Sequence, residues 1–373
     1  MQALLNASTR TQPEKSRMES KMISTDYSSI TCHFNEIPAF VEPEIERLYS
    51  TLHSSLPFFR IFRTMEEVST YVAWRELQPA VILLLQIKGR TVHVLNEMIE
   101  LEQKEVERFA SYVFGKLPQV QIISFKAIRT TADRFAYPVQ KHNAKDTYVI
   151  TLPATPEQYL ASLGKGLREK IPYKLRKIGR HHPSFESHFY EKEEIPEQVL
   201  KDLIRLSEDR ISQKVSDFTH DEQRIIALAK QCGFVNSLTI DGKVCAGTVN
   251  YYIGDNSFLE LIARDPDYAI YSIGTLANYL SICESIRRGR KKFYLGGGRF
   301  DYKQQLLGVL TDADHLEIYR SHSVMLIRLG NAAKTLAQAY LRLAKVWVHT
   351  HKEHALSRLA TSAIKFYKHQ KIR

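Results

Sequence analysis

Four groups of residues in this chain have the types and spacing to do chemistry. In "FLELIARD", Glu260 sits among apolar neighbours, and simple alternation puts Phe258, Glu260 and Ile262 on one strand face and Leu259 and Leu261 on the other. A carboxylate so placed has a raised pKa and suits a general base; the bland alternative is a pair with Arg264 at a sheet edge. Ser272, Ile273, Gly274 and Thr275 stand where a strand has ended and the helix "LANYLSICESIRRG" begins. The unpaired N–H groups and positive dipole end of such a helix start suit a pyrophosphate when the side chains there are small, although a capped helix packed closely on a strand would read the same way.

The third group follows the triplet Gly296 to Gly298, which lets the backbone approach a ligand closely; Asp301, Tyr302 and Lys303 come next. A tyrosine just beyond a strand end can donate a proton, and the competing reading makes Tyr302 and Lys303 anchors of the last turn. The fourth group is basic: Lys165, Arg168, Lys170, Lys174, Arg176, Lys177 and Arg180, with Glu169 the one acid among them. Such a run is either a solvated face or a contact for an anionic substrate. Other chemistries lack their motifs. There is no G-x-G-x-x-G, no P-loop, no G-x-S-x-G, no H-E-x-x-H and no C-x-x-C, and "HTHKEH" at 349–354 reads as solvated histidines, so no metal is expected.

The elements that must position these groups alternate between strand and helix. "VILLLQIKGRTVHVLNEM" and "FVNSLTIDGKVCAGTVNYYIGDNSFLELIAR" are β-arms, and their matching I-x-G-[RK] turns at Ile87 and Ile240 suggest a duplicated α/β module instead of one long sheet. "EQKEVERFASYVFGKL" predicts a helix, "QVQIISFKAI" a buried strand and "TYVITL" a short strand over 147–152, which sets the module boundary near 133–146. Thr155 is an N-cap with Pro156 at the first helical position, and Pro172 predicts a break followed by a second basic helix over 173–180. Gly289 closes the helix that starts near Ser272, and "KKFYLGG" is the next strand, which completes a βαβ unit. The fold class is α/β with mixed sheets in two tandem modules, over 25–140 and 147–318, after a disordered lead-in over 1–24 and before a basic amphipathic helical tail over 319–373.

Charge is concentrated. The stretch 319–373 holds eleven Lys or Arg against one acid, and 159–182 seven against one, so against a total of +11 the rest of the chain is net acidic. The four cysteines are widely spaced, the most apolar run is the six residues from Ala80 to Leu85, and the first residues lack an apolar signal core, so a reduced cytoplasmic protein is expected. The tail places Leu329, Ala333, Leu336, Tyr340, Leu343 and Trp347 on one stripe. It is expected to pack on the body, with contact at an anionic inner membrane face as the next reading and nucleic acid as the last.

From about Val149 to Val309 the chain resembles the CelD/BcsL-like acetyltransferases of the GNAT superfamily, relatives of the FemAB peptidoglycan transferases. The resemblance rests on "YLASLGKGLREKIPYKLRKIGR", "IDGKVCAGTVNYYIGDNSFLEL", "DPDYAIYSIGTLANYLSICESIRRGRKKFYLGGG" and "DYKQQLLG"; the N-terminal module resembles the family's degenerate first half in layout. It implies tandem GNAT-like modules, acetyl-CoA between two splayed strands, and its pyrophosphate on Ser272, Ile273, Gly274 and Thr275. Acyl transfer of this kind needs a base, for which Glu260 is the candidate from its apolar surroundings, and an acid for the thiolate, for which Tyr302 is the candidate. Tyr302 and Lys303 match the family's closing Tyr-Lys pair, and the family's placement of the basic helix implies an acceptor beside Arg168, Lys174 and Arg176, with Asp301 and Lys303 as further expected contacts. The expected acceptor is an amine or hydroxyl of a sugar or cell-envelope precursor. The alternatives are a FemX-like transferase that uses aminoacyl-tRNA and a catalytically silent module in polysaccharide assembly.

Overall fold

The computed structural model describes residues 29–130, 134–212 and 218–328, with single positions between 330 and 348. The first half runs β1 (Ser29–His33), α1 (Val41–Tyr49), α2 (Leu56–Phe62), β2 (Ser69–Arg75), β3 (Gln78–Lys88), β4 (Thr91–Val94), β5 (Ile99–Glu100), α3 (Gln103–Lys116), β6 (Ile122–Arg129) and β7 (Val139–Thr151). The second runs α4 (Pro156–Ser162), α5 (Lys165–His181), β8 (Glu186–Glu191), α6 (Glu197–Ser212), α7 (Glu222–Cys232), β9 (Gly233–Ile240), β10 (Lys243–Ile253) and β11 (Asn256–Arg264). It ends with α8 (Ile273–Arg287), β12 (Lys292–Tyr294), α9 (Asp301–Gln305), β13 (Val309–Tyr319) and α10 (His322–Ile327).

The two halves repeat one layout of strand, two helices, three antiparallel strands, a helix and a parallel strand. They are joined, contrary to the expectation of separate sheets, in one 13-stranded sheet of order β1-β2-β3-β4-β6-β13-β7-β12-β11-β10-β9-β8, with β5 beside β6. The last strand of each half pairs across the junction: β13 with β6 and β7 with β12, while β7 and β13 pair with each other. The repeat is out of phase with the two I-x-G turns. Ile87 precedes the β3–β4 turn, whereas Ile240 precedes the β9–β10 turn, so the matching turns occupy different places in the two layouts. Such turns follow from hairpin geometry alone, with Asp241 and Gly242 both at positive φ, and carry no record of duplication.

Local signals explain most elements. Thr155 caps α4 by accepting from the Gln158 N–H with Pro156 at the first position, as expected. The helix then breaks at Leu163 and Gly164, not at Pro172, which lies inside a continuous α5. An internal proline costs about 3 kcal/mol. Burial of Ile171 and Ile178, with Leu175 partly buried on the same stripe, offsets that at roughly 1.5–3 kcal/mol per full side chain. The polar stretch at the expected boundary is β7 from Val139 onward, because β13 pairs with it from Ile318↔Val139 to Val309↔Val149 and tertiary pairing overrides its weak strand propensity.

The lead-in lies outside the described residues. In the tail, Tyr340 is 66% and Trp347 39% exposed, while Leu329, Leu336 and Leu343 of the expected stripe lie outside the described residues. Among the described residues no helix is long and apolar enough to cross a membrane.

Arg320 ties the end of β13 to the first half. Its guanidinium donates to the carbonyls of Phe114, Leu117 and Val120 at 2.7–2.9 Å, at the C-terminal end of α3. A hydrogen bond to a charged group contributes about 1.5–3 kcal/mol net when desolvated, and less where, as here, the side chain keeps partial access to water. Arg320→Ala is expected to lower unfolding free energy by about 2 kcal/mol in a denaturant titration; a loss under about 0.5 kcal/mol would mean that the ladder alone holds the junction.

Candidate active site

Strand β11 changes register at Glu260. Val249 of β10 pairs with Leu261 and Asn250 with Leu259, which leaves Glu260 as the extra residue of a β-bulge. The bulge overturns the simple alternation expected for this strand. Phe258 and Leu261 both face α6 and α7, whereas Leu259 packs toward α8 and Ile262 lies near Gly274. At the same level the sheet opens: β11 and β12 are parallel partners only over Asn256–Phe258 and Lys292–Tyr294, after which Leu295 donates to Tyr148 of β7.

Glu260 lines a cavity of about 370 Å³ between the halves. Much of its side chain is accessible, but the surface it exposes is cavity wall, so burial still pushes its carboxyl above the usual range. The first half supplies the opposite wall with Thr51, His53, Met98, Lys145 and Asp146. His53, from a 3-10 turn at Leu52–Ser54, is pushed down to about 3 by burial and then by Lys145 and Arg63, so its imidazole is neutral. Lys145 pairs with Glu97 at 3.7 Å, and Asp146 with Arg299 at 3.2 Å. The Thr51 and Tyr251 hydroxyls are buried and without a hydrogen-bond partner among the described residues, and the pKa of Tyr251 is raised by burial first and then by the nearby Glu260 carboxylate. Sequence reasoning missed Thr51, His53, Lys145 and Tyr251. A lone histidine in "TLHSS" carries no local signal.

The glycine triplet turns the chain after β12. Gly296 and Gly298 have positive φ, and a Cβ on Gly297 would lie 3.2 Å from the Asp146 carbonyl. Lys303 is 3% exposed and donates to the carbonyls of Gly296 at 3.0 Å and Gly297 at 2.5 Å, with burial lowering its pKa to about 8. It therefore holds the triplet from inside, which corrects its assignment to an acceptor. Tyr302 is half-buried, its pKa raised by burial and opposed by Arg210. Asp301 is exposed at the start of α9.

Helix α8 starts where expected. Ser272 is its N-cap in the left-handed region without a side-chain cap, and the N–H groups of Ile273 and Gly274 have no acceptor among the described residues. A Cβ on Gly274 would meet the Arg264 side chain at 3.1 Å, so this glycine also serves close helix–strand packing. A hydrogen bond between the Thr248 and Ser281 hydroxyls (2.6 Å) and one from Ser257 to Ser285 (3.0 Å) hold α8 against the sheet. Basic α5 lies beside this helix start: the Lys174 ammonium donates to the Ile270 carbonyl, and His181 meets the Tyr271 hydroxyl at 2.9 Å. Arg168 donates to Ala161 on the other side, and Arg176 is exposed.

The corresponding slot in the first half is closed. After β4, Met98 donates to Ala127, and β5 pairs with β6 at Ile99↔Ile128 and Glu100↔Arg129. The helix that follows, α3, has Glu102 at its N-cap and Glu105 in its first turn, which disfavours an anion there.

The splayed strand pair, the bulge and the helix start at its end all lie within residues 165–304, which match the family model described as "Acetyltransferase (GNAT) domain". The solved structure of FemX is similar over 80% of this chain and 99% of its own, with 8% identity and a TM-score of 0.58, so the two share a fold. A conserved protein of unknown function from Bacteroides thetaiotaomicron is similar over 78% and 100%, with 12% identity and a TM-score of 0.47. A tandem GNAT protein from the clavulanic acid biosynthesis pathway is similar over 78% and 98%, with 8% identity and a TM-score of 0.40. A search of curated protein sequences found no match.

The raised pKa of Glu260 has a stability consequence. An unfolded glutamate titrates near about 4.3, and the folded value lies above it, so the native protein holds an extra proton between the two. The carboxyl's contribution to stability is full below the unfolded value and is lost as pH rises through the folded one. Glu260→Gln is therefore expected to gain melting temperature relative to wild type on going from pH 4 to pH 7. A relative loss over that interval would show that a cation pairs with the carboxylate.

Proposed function

We propose that the protein transfers an acyl group, acetyl first among them, from CoA to an amine or hydroxyl of a sugar or cell-envelope precursor. The observation that carries this reading is the bulge at Glu260, which faces a cavity at the level where β11 leaves β12. The residues fit an acyl-CoA: the splay can take a thioester arm, and the free N–H groups of Ile273 and Gly274, flanked by Ser272 and Thr275, suit its pyrophosphate. Bound there, CoA supplies an activated acyl carbon and a thiolate leaving group.

In this reading Glu260 takes the proton of the acceptor's nucleophile as that atom bonds to the acyl carbon, and Tyr302 gives a proton to the sulfur as the C–S bond breaks. The raised pKa of Glu260 supports a base poised nearer neutrality, and the cavity gives the nucleophile a place apart from bulk water. Asp301 and Arg176, both exposed, are kept as acceptor contacts, with Arg168 at the far flank of α5. The site lies in the cytoplasm, with the basic tail touching the anionic inner membrane face through exposed Tyr340, Leu341 and Trp347. A second reading, transfer from aminoacyl-tRNA, is favoured by the fold shared with FemX and by the charge on α5.

Calorimetric titration with acetyl-CoA, CoA and an aminoacyl-tRNA mimic separates the two. Binding of the first two alone is expected; binding of the mimic alone would replace the acyl-CoA reading. With acetyl-CoA and a panel of amino sugars, followed by thiol release, Glu260→Gln is expected to lower turnover by about 100-fold while CoA affinity stays unchanged. Tyr302→Phe is expected to do the same to a lesser degree. Unchanged turnover in Glu260→Gln would remove it from the reaction.

A further inference from the structure

The apolar stripe of α5, Ile171, Leu175 and Ile178, faces α8 and the 3-10 turn Pro266–Tyr271. At helical spacing this puts Lys170, Lys174 and Lys177 along one flank and Lys165, Arg168 and Arg176 along the other. Two contacts fix which flank is which. Lys174 donates to the Ile270 carbonyl and Arg168 to Ala161 of α4, so the lysine flank borders the α8 start. None of the three lysines forms an ion pair among the described residues. Ile270, at 60% exposure, and Tyr173, at 48%, present apolar surface at the same edge, with the Lys174 ammonium 5.9 Å from the Tyr173 ring centroid.

Three ammonium groups without a carboxylate partner among the described residues, one of them held by the Ile270 carbonyl, beside an exposed aromatic ring and an exposed aliphatic chain match a ligand that joins a phosphate to a flat base. We propose that this flank seats the 3′-phosphoadenosine end of CoA, which moves the lysines of α5 from the acceptor to the donor. The inference rests on the acyl-CoA reading above. It deepens that reading by giving the donor's distal phosphate its own cations, separate from the pyrophosphate at Ile273 and Gly274. The lysines act on binding and not on the acyl carbon.

The test is calorimetry on the full chain with CoA, 3′-dephospho-CoA and a short acceptor-stem RNA. Wild type is expected to bind CoA about tenfold or more tightly than 3′-dephospho-CoA at low salt, with the preference shrinking as salt rises. Combined Lys170→Ala, Lys174→Ala and Lys177→Ala should abolish the preference and leave 3′-dephospho-CoA affinity intact, which also reports an intact fold. Lys165→Ala with Arg176→Ala, on the other flank, should keep it. A triple variant that retains the preference, or a wild type that shows none while binding CoA, overturns this assignment alone. A wild type that binds no CoA, or binds only the RNA, overturns both this assignment and the acyl-CoA reading.

Discussion

The antiparallel ladder between β7 and β13 is the interaction on which the rest of the structure depends. Each strand belongs by sequence to one half and completes the sheet of the other: β13 lies on β6, and β7 on β12. Neither half closes its own sheet, so the two cannot separate without breaking the middle of the sheet. This constraint fixes the walls of the cavity at Glu260, since Lys145, Asp146 and Thr147 are residues of β7 facing β11 and β12 residues across it. Packing at the entry to the ladder is tight: a Cβ on Gly308 would lie 2.7 Å from the Lys303 carbonyl and 3.2 Å from Tyr148 Cβ.

On this shared frame the halves diverge at one place. In the first, the chain after β4 rejoins β6 through β5, and Met98, Ala127 and Ala313 fill the space between. In the second, the bulge at Glu260 turns β11 away from β12, and the gap stays open. The helix starts follow suit, acidic at α3 and free of acids at α8. The first half has thereby lost a slot and become a wall, from which His53 and Lys145 reach the second half's cavity.

Much of this was legible in the sequence because local rules govern it. The hairpins around Gly89 and Gly242, the cap at Thr155, the start of α8 and its end at Gly289 follow from turn and cap chemistry. The residues of the site were legible by type but not by surroundings. Glu260 was found among apolar neighbours, yet a bulge leaves no trace in composition, and only the pairing with β10 shows that alternation fails there. For Lys303 the sequence offers both an acceptor contact and an anchor of the last turn, because nothing local shows that two glycine carbonyls will draw it inside. The strand exchange, the phase of the repeat and the share of the first half in the cavity are long-range pairings that no window of sequence contains.

In the proposed function one slot, between β11 and β12, takes the donor while its counterpart in the first half is shut. Hydrogen–deuterium exchange of the full chain with and without saturating CoA tests it directly. The predicted result is slowed exchange in a segment spanning Glu260 to Thr275, including the amides of Ile273 and Gly274, with none at 95–106. Slowed exchange at 95–106, or no change near Gly274 while CoA is bound, would contradict it.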